Sequence, residues 1–579
     1  MLDLFGRKPA DTPTFKVLVD GLPLPGTVKI MRIDVRHELN SISSATVVIA
    51  DGDAAKQDFE VSSSDSLVPG KAIEIQGGYR SEDETLFNGV IVRQRVSVKR
   101  HGSNLLQVEC RDAAYKMTLA PRSRYFSNVT DSALFEELIS GHGLAAEVIP
   151  TMESYESVVQ YQVSDWDFMV SRAERLGMAC VTDGGTIKIM PLPSAGAPIL
   201  PLIFGQGVFE ADLEMDGRDQ MAQVSVYAWD MAGQSVLNAQ ATDATVVTPG
   251  NLDGATLASD VGADDHPLRH AGQISQSQLD AWADARMAWA RLSKVKGTVR
   301  VQGTLAAGLT DLVDLAGFGD RFSGPGFVSG LQHRLGEGDW FTTVQIGVDP
   351  KRHHERFAIN PLPGDGFVRP APGLYTGVVT RLAGDPDGEQ RIKVRIPVID
   401  DADDGVWARL ASLDAGNSRG FVFRPEIGDE VVVGFLSDDP EHPIVLGMLH
   451  SSALPAPLEA SDDNHEKGFV SRSEMKVIFN DDEVTLTLET PNGNKVVLTD
   501  ADGAIQITDE NGNTVTLSSE GIALTSQSDI NISATGDVTI VGTNVSVKAT
   551  AGLTLEGSSE AKISSSGSLE VKGSIVQIN

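Results

Sequence analysis

The strongest constraint on the fold lies in the C-terminal stretch. From Ile522 to Asn579 the chain repeats a unit of seven or eight residues in which two apolar residues sit one apart. The pairs are Ile522/Leu524, Ile530/Ile532, Val538/Ile540, Val545/Val547, Leu553/Leu555, Ala561/Ile563, Leu569/Val571 and Val576/Ile578, with Ser, Thr, Gly, Asn and Asp between them. Apolar residues at i and i+2 share one face of a strand, and the polar spacers carry turn chemistry. The pattern predicts a ladder of short strands, each bent away from the next. No aromatic residue in the segment can cover the narrow stripes. Burying a two-residue stripe does not by itself offset the entropy of ordering its unit, so the strands need partners. Thin repeats find them by stacking or by assembling several chains. Three chains wrapped about one axis, each forming one face of a prism, would turn every stripe inward. A single-chain parallel β-helix is the rival, but its coils need roughly 20 residues.

The rest of the chain limits the function. At 579 residues it should hold three or four domains. A net charge of −33 argues against a nucleic-acid partner, which wants a basic face. The two cysteines, Cys110 and Cys180, form no CxxC pair and read as buried free thiols. The stretch Met1 to Asp20 carries Asp3 and Asp11 and lacks an apolar h-region, so no Sec signal is expected. No run of about 18 apolar residues exists, so no helical membrane span is expected.

Residues 1–365 read as mostly β with a few helices. Alternation marks strands at Phe15 to Val19, Ile30 to Val35, Ser44 to Ile49, Lys71 to Gln76, Phe87 to Val92, Gln94 to Val98 and Leu105 to Cys110. Helices are expected over Asp131 to Ser140, over Asp165 to Leu176 behind a Ser164 cap, and over Gln276 to Leu292. Strands resume at Thr298 to Gln302, Phe327 to Leu335 and Phe341 to Val348. Pro361, Pro363, Gly364, Pro370, Pro372 and Gly373 then mark a linker. After it, residues 366–455 hold a compact all-β block. Its strands are read at Tyr375 to Leu382, Arg391 to Ile396, Val406 to Ser412, Arg419 to Arg424 and Glu430 to Leu436, with a closing run Ile444 to Leu449. Five short strands suit a small OB-like barrel. A linker over 456–475 leads to the needle, 476–579, whose upstream pairs are Val484/Leu486/Leu488, Val496/Leu498, Ile505/Ile507 and Val515/Leu517.

Four motifs in the block carry a resemblance. They are Asp385-Pro386-Asp387-Gly388 with Arg391-Ile392-Lys393-Val394-Arg395, Trp407-Ala408-Arg409-Leu410, Pro425 with Ile427-Gly428-Asp429-Glu430-Val431, and Asp439-Pro440 with Pro443-Ile444-Val445-Leu446-Gly447. In order and spacing they resemble the OB-fold of VgrG and phage baseplate spike proteins. Upstream, Ser164-Asp165-Trp166-Asp167-Phe168 with Arg172-Ala173-Glu174 is similar to the hub helix of the same family. The resemblance implies a homotrimer: a hub of paired β-barrels with a few helices, an OB barrel, and an intertwined triple-stranded β-helix or prism. It also implies as partners an inner tube ring or tube initiator, baseplate proteins and a target-cell membrane pierced mechanically. The short Asp385–Gly388 turn favours an extracellular phage-tail-like particle over a type VI secretion spike.

Chemistry finds little room. The segment Ser451 to Val470 is too short for an inserted enzyme domain, and the chain is expected to close on the strand Ser574 to Asn579, with no effector beyond it. Arg352-His353-His354-Glu355-Arg356 lacks zinc spacing and reads as a solvated loop. In Asp400-Asp401-Ala402-Asp403-Asp404-Gly405 the third calcium-loop place is Ala402 and the twelfth is Ala411. Gly324-Pro325-Gly326 reads as a loop. Arg391, Lys393 and Arg395 with Phe421 and Phe423 could make a nucleic-acid face, but the surrounding acidity opposes it. No catalytic residue, cofactor or metal ligand is therefore assigned. No histidine follows His465, so the needle has no His-x-His ring for iron, and a separate cap resembling PAAR-repeat tip proteins is expected on Ile575, Val576 and Ile578.

The reading is of a spike made in the bacterial cytoplasm without a signal peptide and assembled at the baseplate end of a particle released or delivered outside the cell. Ile522, Leu524, Ile530, Ile532, Val538, Ile540, Val545, Val547, Leu553, Leu555, Ile563, Leu569 and Val571 are its trimer-core needle positions. The rival from another class is a tailspike or adhesin stalk. A stalk would carry an aromatic-rich head beyond its repeat, whereas here every Trp and Tyr precedes Leu410.

Overall fold

A computed structural model describes residues 12–578 except 102, 194, 245 and 367. The reading of Met1 to Asp20 as lacking a leader, and the end of the last strand at Asn579, thus fall partly outside the described residues. The chain divides into two compact units, Met1–Pro370 and Ala371–Asn579.

In the first unit, alternating strands build one sheet of thirteen. Its main path runs Val208–Met215, Val295–Gln302, Asp339–Ile346, Gly324–Gly336, Ile30–Glu38, Ser44–Ala50, Leu105–Arg111, Glu82–Ser97, Ala72–Tyr79, Pro13–Val19 and Leu22–Pro23. Leu312–Ala316 joins on Gly324–Gly336, and Leu200–Ile203 joins on Leu312–Ala316. The early and late halves meet where Gly330–Gly336 runs antiparallel to Arg32–Glu38. One core holds Ile33, Val47, Ile75, Leu106 and Val108, and also Leu335 and Trp340 from the late half. A second holds Val299, Val313, Leu315, Val328, Leu331 and Val344. The strand Gly324–Gly336 therefore serves both cores, changing register between Val328 and Gly330 on the way. Beside this sheet the unit holds one two-stranded and two three-stranded sheets.

Two helical lobes flank the sheet. α1 (Asp131–Ser140) and α2 (Asp165–Arg175) bury Leu134, Phe135, Leu138, Trp166, Met169 and Val170 among the strands Met178–Asp183 and Thr186–Pro191. The Ser164 hydroxyl caps α2 by accepting from the Asp167 N–H at 3.1 Å. α3 spans Gly254–Val261, and α4 (Gln276–Leu292) lays Leu279, Ala283, Met287 and Ala290 on the hairpin Gln223–Asp230/Ser235–Ala241.

Three local expectations are corrected. Phe87 to Val92 and Gln94 to Val98 are halves of one strand, Glu82–Ser97, with a register shift between Ile91 and Arg93. Gly324-Pro325-Gly326 is strand, not loop, because Leu312–Ala316 pairs with it. The Arg352–Arg356 run is not a solvated loop. α5 (His353–Arg356) packs on α2, with the His353 Nε2 2.8 Å from Asp167 Oδ1 and its N–H donating to Glu174 Oε2 at 2.9 Å. The Arg352 guanidinium lies 4.8 Å from the Trp289 ring centroid.

The second unit opens with a closed barrel in the order Leu374–Arg381, Ile392–Arg395, Val406–Leu410, Pro443–Met448, Glu430–Phe435. The third and last strands in sequence close it in parallel, Arg409 opposite Ile444 and Leu410 opposite Val445. Val379, Ile392, Val394, Ala408, Val431, Val433 and Val445 fill the interior. Arg419 to Arg424 is not a barrel strand. Only Arg419–Gly420 pairs, with Ala415–Gly416, while Pro443–Met448 takes the fifth place.

Beyond the barrel a seven-stranded antiparallel meander runs through Glu466–Val470, Lys476–Asn480, Thr485–Glu489, Lys495–Thr499, Ala504–Thr508, Thr514–Ser518 and Gly521–Thr525. Its first strand lies inside the stretch read as a linker, and Val484 falls in a turn rather than on the ladder. From 526 to 578 no strand pairs within the chain, among the described residues.

Candidate functional site: the apolar face of the C-terminal ladder

The site grows from strand registers. One cross-strand row reads Phe469, Val477, Leu488, Val496, Ile507, Val515, Leu524. A second, two residues away on each strand, reads Phe479, Leu486, Leu498, Ile505, Leu517, Ile522. Residues two apart on a strand share a face, so both rows form one apolar surface across the meander. The opposite face carries the row Ile478, Thr487, Val497, Gln506, Thr516, Ala523. Sheets with one face wet normally cover the apolar side. Here Phe479, Leu488, Leu498, Ile505, Ile507 and Leu517 stay well exposed, and Ile522 is 74% exposed.

The unpaired stretch continues the surface. Ile530, Ile532, Val538, Ile540, Val545, Val547, Leu553, Leu555, Ile563, Leu569 and Val571 are all at least half exposed, as are Ile575 and Ile578, with Val576 just below. The structure brings together Ile522 and Leu524 with Leu517 and Val515, and it brings none of the later positions to a strand partner among the described residues. Val477, Phe479 and Phe469 belong to the surface and were missed, although Val477 and Phe479 already stand at i and i+2.

Turn chemistry fixes the meander. Asn494 and Asn513 occupy matching places in Asn492-Gly493-Asn494 and Asn511-Gly512-Asn513. The Asn494 Oδ1 accepts from the Glu510 N–H at 3.3 Å, and the Asn513 Oδ1 accepts from the Gln527 N–H at 2.8 Å. Hydrogen bonds from the Asn513 side chain and backbone hold the Asp509 carboxyl below its ordinary range. The Lys467 ammonium does the same for Asp481.

The other candidate groups have local partners. Arg391 donates to Asp385 through Nη2 at 2.6 Å and Nε at 3.0 Å, clamping the Asp385–Gly388 turn. That clamp holds the Asp385 carboxyl down to about 2. Lys393 lies 3.7 Å from Asp404, so two of the three basic residues face acids rather than open solvent. In the Asp400 to Gly405 loop, Asp400 accepts from the Ala402 N–H and Asp403 from the Gly405 N–H, both at 2.8 Å. These carboxylates shape turns, and no group of three or more potential metal ligands occurs among the described residues. Cys110 and Cys180 are free and buried, as expected, and burial pushes the Cys110 thiol up to about 12. No helix among the described residues is long and apolar enough to cross a membrane.

The barrel defines the class. Residues 375–450 match the type VI secretion system/phage-baseplate injector OB domain. Residues 9–337, more than half of the chain, match the family described as the Alg8 N-terminal domain, and the chain belongs to that family. It is similar to the type VI secretion system spike protein VgrG1a of Pseudomonas aeruginosa, 24% identical over 69% of this chain. It is also similar to VgrG1c of that organism, 23% identical over 79% of this chain. The chain spans 64% of the length of each of these two relatives. Among solved structures, the tail protein from Neisseria meningitidis MC58 aligns with 60% of this chain and 99% of its own, at 15% identity and a TM-score of 0.45.

Proposed function

We propose that this chain is the central spike of a contractile injection system, a homotrimeric hub and needle that joins an inner tube ring or tube initiator to the piercing tip. The observation that carries the reading is the one-sided apolar surface of the meander, continued by an evenly spaced ladder that finds no strand partner among the described residues. Exposed apolar surface on this scale marks an interface, and two further copies supply identical stripes at identical spacing. In the trimer, Ile522, Leu524 and the pairs from Ile530 to Val571 face the common axis. Ile575, Val576 and Ile578 carry a small PAAR-like tip protein, through unpaired backbone and apolar side chains.

The work is mechanical. Sheath contraction supplies the energy, and the needle contributes stiffness through paired backbone and a dry core, so the mechanism requires neither cofactor nor catalytic residue. The target-cell membrane is pierced rather than bound, and baseplate proteins hold the hub. The spike is made in the cytoplasm and assembled at the baseplate end of an extracellular phage-tail-like particle, a reading favoured by the short Asp385–Gly388 turn. The resemblance in sequence to type VI spikes supports the alternative, in which the same trimer serves a type VI apparatus.

Native mass measurement tests the assembly. A mass three times that of the chain, persisting in denaturant that unfolds ordinary domains, is expected. A monomer at micromolar concentration with its needle folded overturns the spike reading. Recovery of the chain in sheathed particles from culture supernatant separates the extracellular system from the type VI one.

A further inference from the structure

An aromatic cluster that the ladder pattern does not explain stands beside the first meander strand. Phe421 and Phe423 lie on the segment that leaves the barrel after the Ala415–Gly416/Arg419–Gly420 pairing. Their rings stack at 6.3 Å, and Phe423 meets Phe469, on the first meander strand, at 5.8 Å. Nearby, Arg472 donates to Glu426 at 2.9 Å and ties the same two segments together. The three rings are 51%, 58% and 50% exposed. Three half-exposed phenylalanines in mutual contact are costly in water, since each full ring buries 150–250 Å² on coverage.

Their position says what covers them. Phe469 heads the cross-strand row that runs through Val477, Leu488 and Val496 to Leu524, so the cluster is continuous with the apolar face of the meander. The open half of three rings amounts to about 300 Å² per chain, well short of the ~800 Å² per partner of a stable interface. The cluster does not suffice as a separate docking site, but it extends the meander surface toward the barrel without a break. We infer that Phe421, Phe423 and Phe469 form an aromatic collar that packs against its counterparts in two further copies of this chain, joining the barrel ring to the needle. The inference rests on the trimeric reading above. The collar fixes the axial register of the three chains where repeating stripes alone permit slippage, because a unique aromatic step has no equivalent one repeat along.

The full-length chain tests this by its mass against concentration. F421A/F423A/F469A is expected to raise the concentration of half-assembly at least a hundredfold, and F421L/F423L/F469L to recover most of that loss. Circular dichroism and limited proteolysis of both variants check that hub and barrel stay folded; the half-exposed rings leave no internal cavity when truncated. A parent that assembles as a trimer and an alanine variant that assembles at the same concentration overturn the collar and leave the spike reading standing. A parent that is monomeric overturns both. An alanine variant that stays trimeric but loses a different protein assigns the rings to that partner and also overturns the collar.

Discussion

Replacing Leu498 by serine probes the apolar face at its centre. Leu498 stands opposite Leu486 on one side and Ile505 on the other, and 39% of it remains exposed in the single chain. Full burial of a leucine side chain stabilises by about 1.5–3 kcal/mol. The exposed two fifths, covered only on assembly, are therefore worth about 0.6–1.2 kcal/mol per chain. Three copies lose the term together, about 2–3.5 kcal/mol for the trimer. At 1.4 kcal/mol per factor of ten, that is on the order of a hundredfold in the trimer dissociation constant. The half-assembly concentration of a trimer follows the square root of that constant, so a shift of roughly tenfold is expected. The control is Gln506→Ser, on the opposite face between Val497 and Thr516, and it should leave assembly within twofold. Sedimentation of the two variants across a concentration series reads the contrast. Equal shifts, or a larger one for Gln506→Ser, refute the assignment of the apolar rows to the trimer interior.

Other parts of the chain give sharper local tests. Gly405 holds φ at 89°, and a Cβ there would sit 2.0 Å from the Val394 carbonyl oxygen. Gly405→Ala should therefore cost several kcal/mol of barrel stability, seen as proteolysis within 374–448 under conditions that spare the parent. Val484 holds φ at 48°, a strained place for a β-branched residue, so Val484→Asn should raise stability by about 1 kcal/mol in denaturant titration. His333 is buried on the seam strand, with Nδ1 3.0 Å from Thr342 Oγ1, and burial holds its imidazole down to about 3. The folded state keeps it neutral while the unfolded chain takes up a proton below about pH 6.5. Its contribution is thus intact above pH 6.5 and is lost as pH falls toward 3, at about 1.4 kcal/mol per pH unit. His333→Gln should flatten the fall in unfolding midpoint between pH 7 and 5; an unchanged slope excludes His333 as its source.

Local periodicity made α1, α2 and α4 legible, whereas α3 was not read from it. The Ser164 cap and the span Gln276–Leu292 follow from spacing and capping residues alone. Features made by distant pairing were not legible. Pro443–Met448 becomes the fifth barrel strand by lying antiparallel to Glu430–Phe435 and parallel to Val406–Leu410, and nothing within the stretch announces the second neighbour. Likewise His353 sits in a polar run that reads as solvated, yet its partners Asp167 and Glu174 stand far back in the chain. Polarity at five consecutive positions reports hydration only when no distant carboxylate takes the place of water. The ladder was legible because its two-residue stripes need no distant information, but its partners were not, since in the proposed trimer they belong to other copies of the chain.

The ladder changes period close to where pairing within the chain stops. Strand starts at Lys476, Thr485, Lys495, Ala504 and Thr514 recur every nine or ten residues, leaving four or five residues for each reversal. Two of those reversals carry Asn-Gly, which tolerates the positive φ that a tight turn demands. From Ile522 onward the unit shrinks to seven or eight residues, and no Asn-Gly or Asp-Gly dipeptide occurs in it. The Asn513 side chain accepts from the Gln527 N–H just past the end of the last meander strand, Gly521–Thr525. Spacer length alone does not end the reversals, since Ser519-Glu520 still turns Thr514–Ser518 back onto Gly521–Thr525. In the proposed trimer each bend carries the chain on to the next face of the prism, where a neighbouring copy supplies the strand partner. In that trimer the same two-residue stripe builds a meander upstream and a shared needle downstream, and the loss of the Asn-Gly turns marks the change.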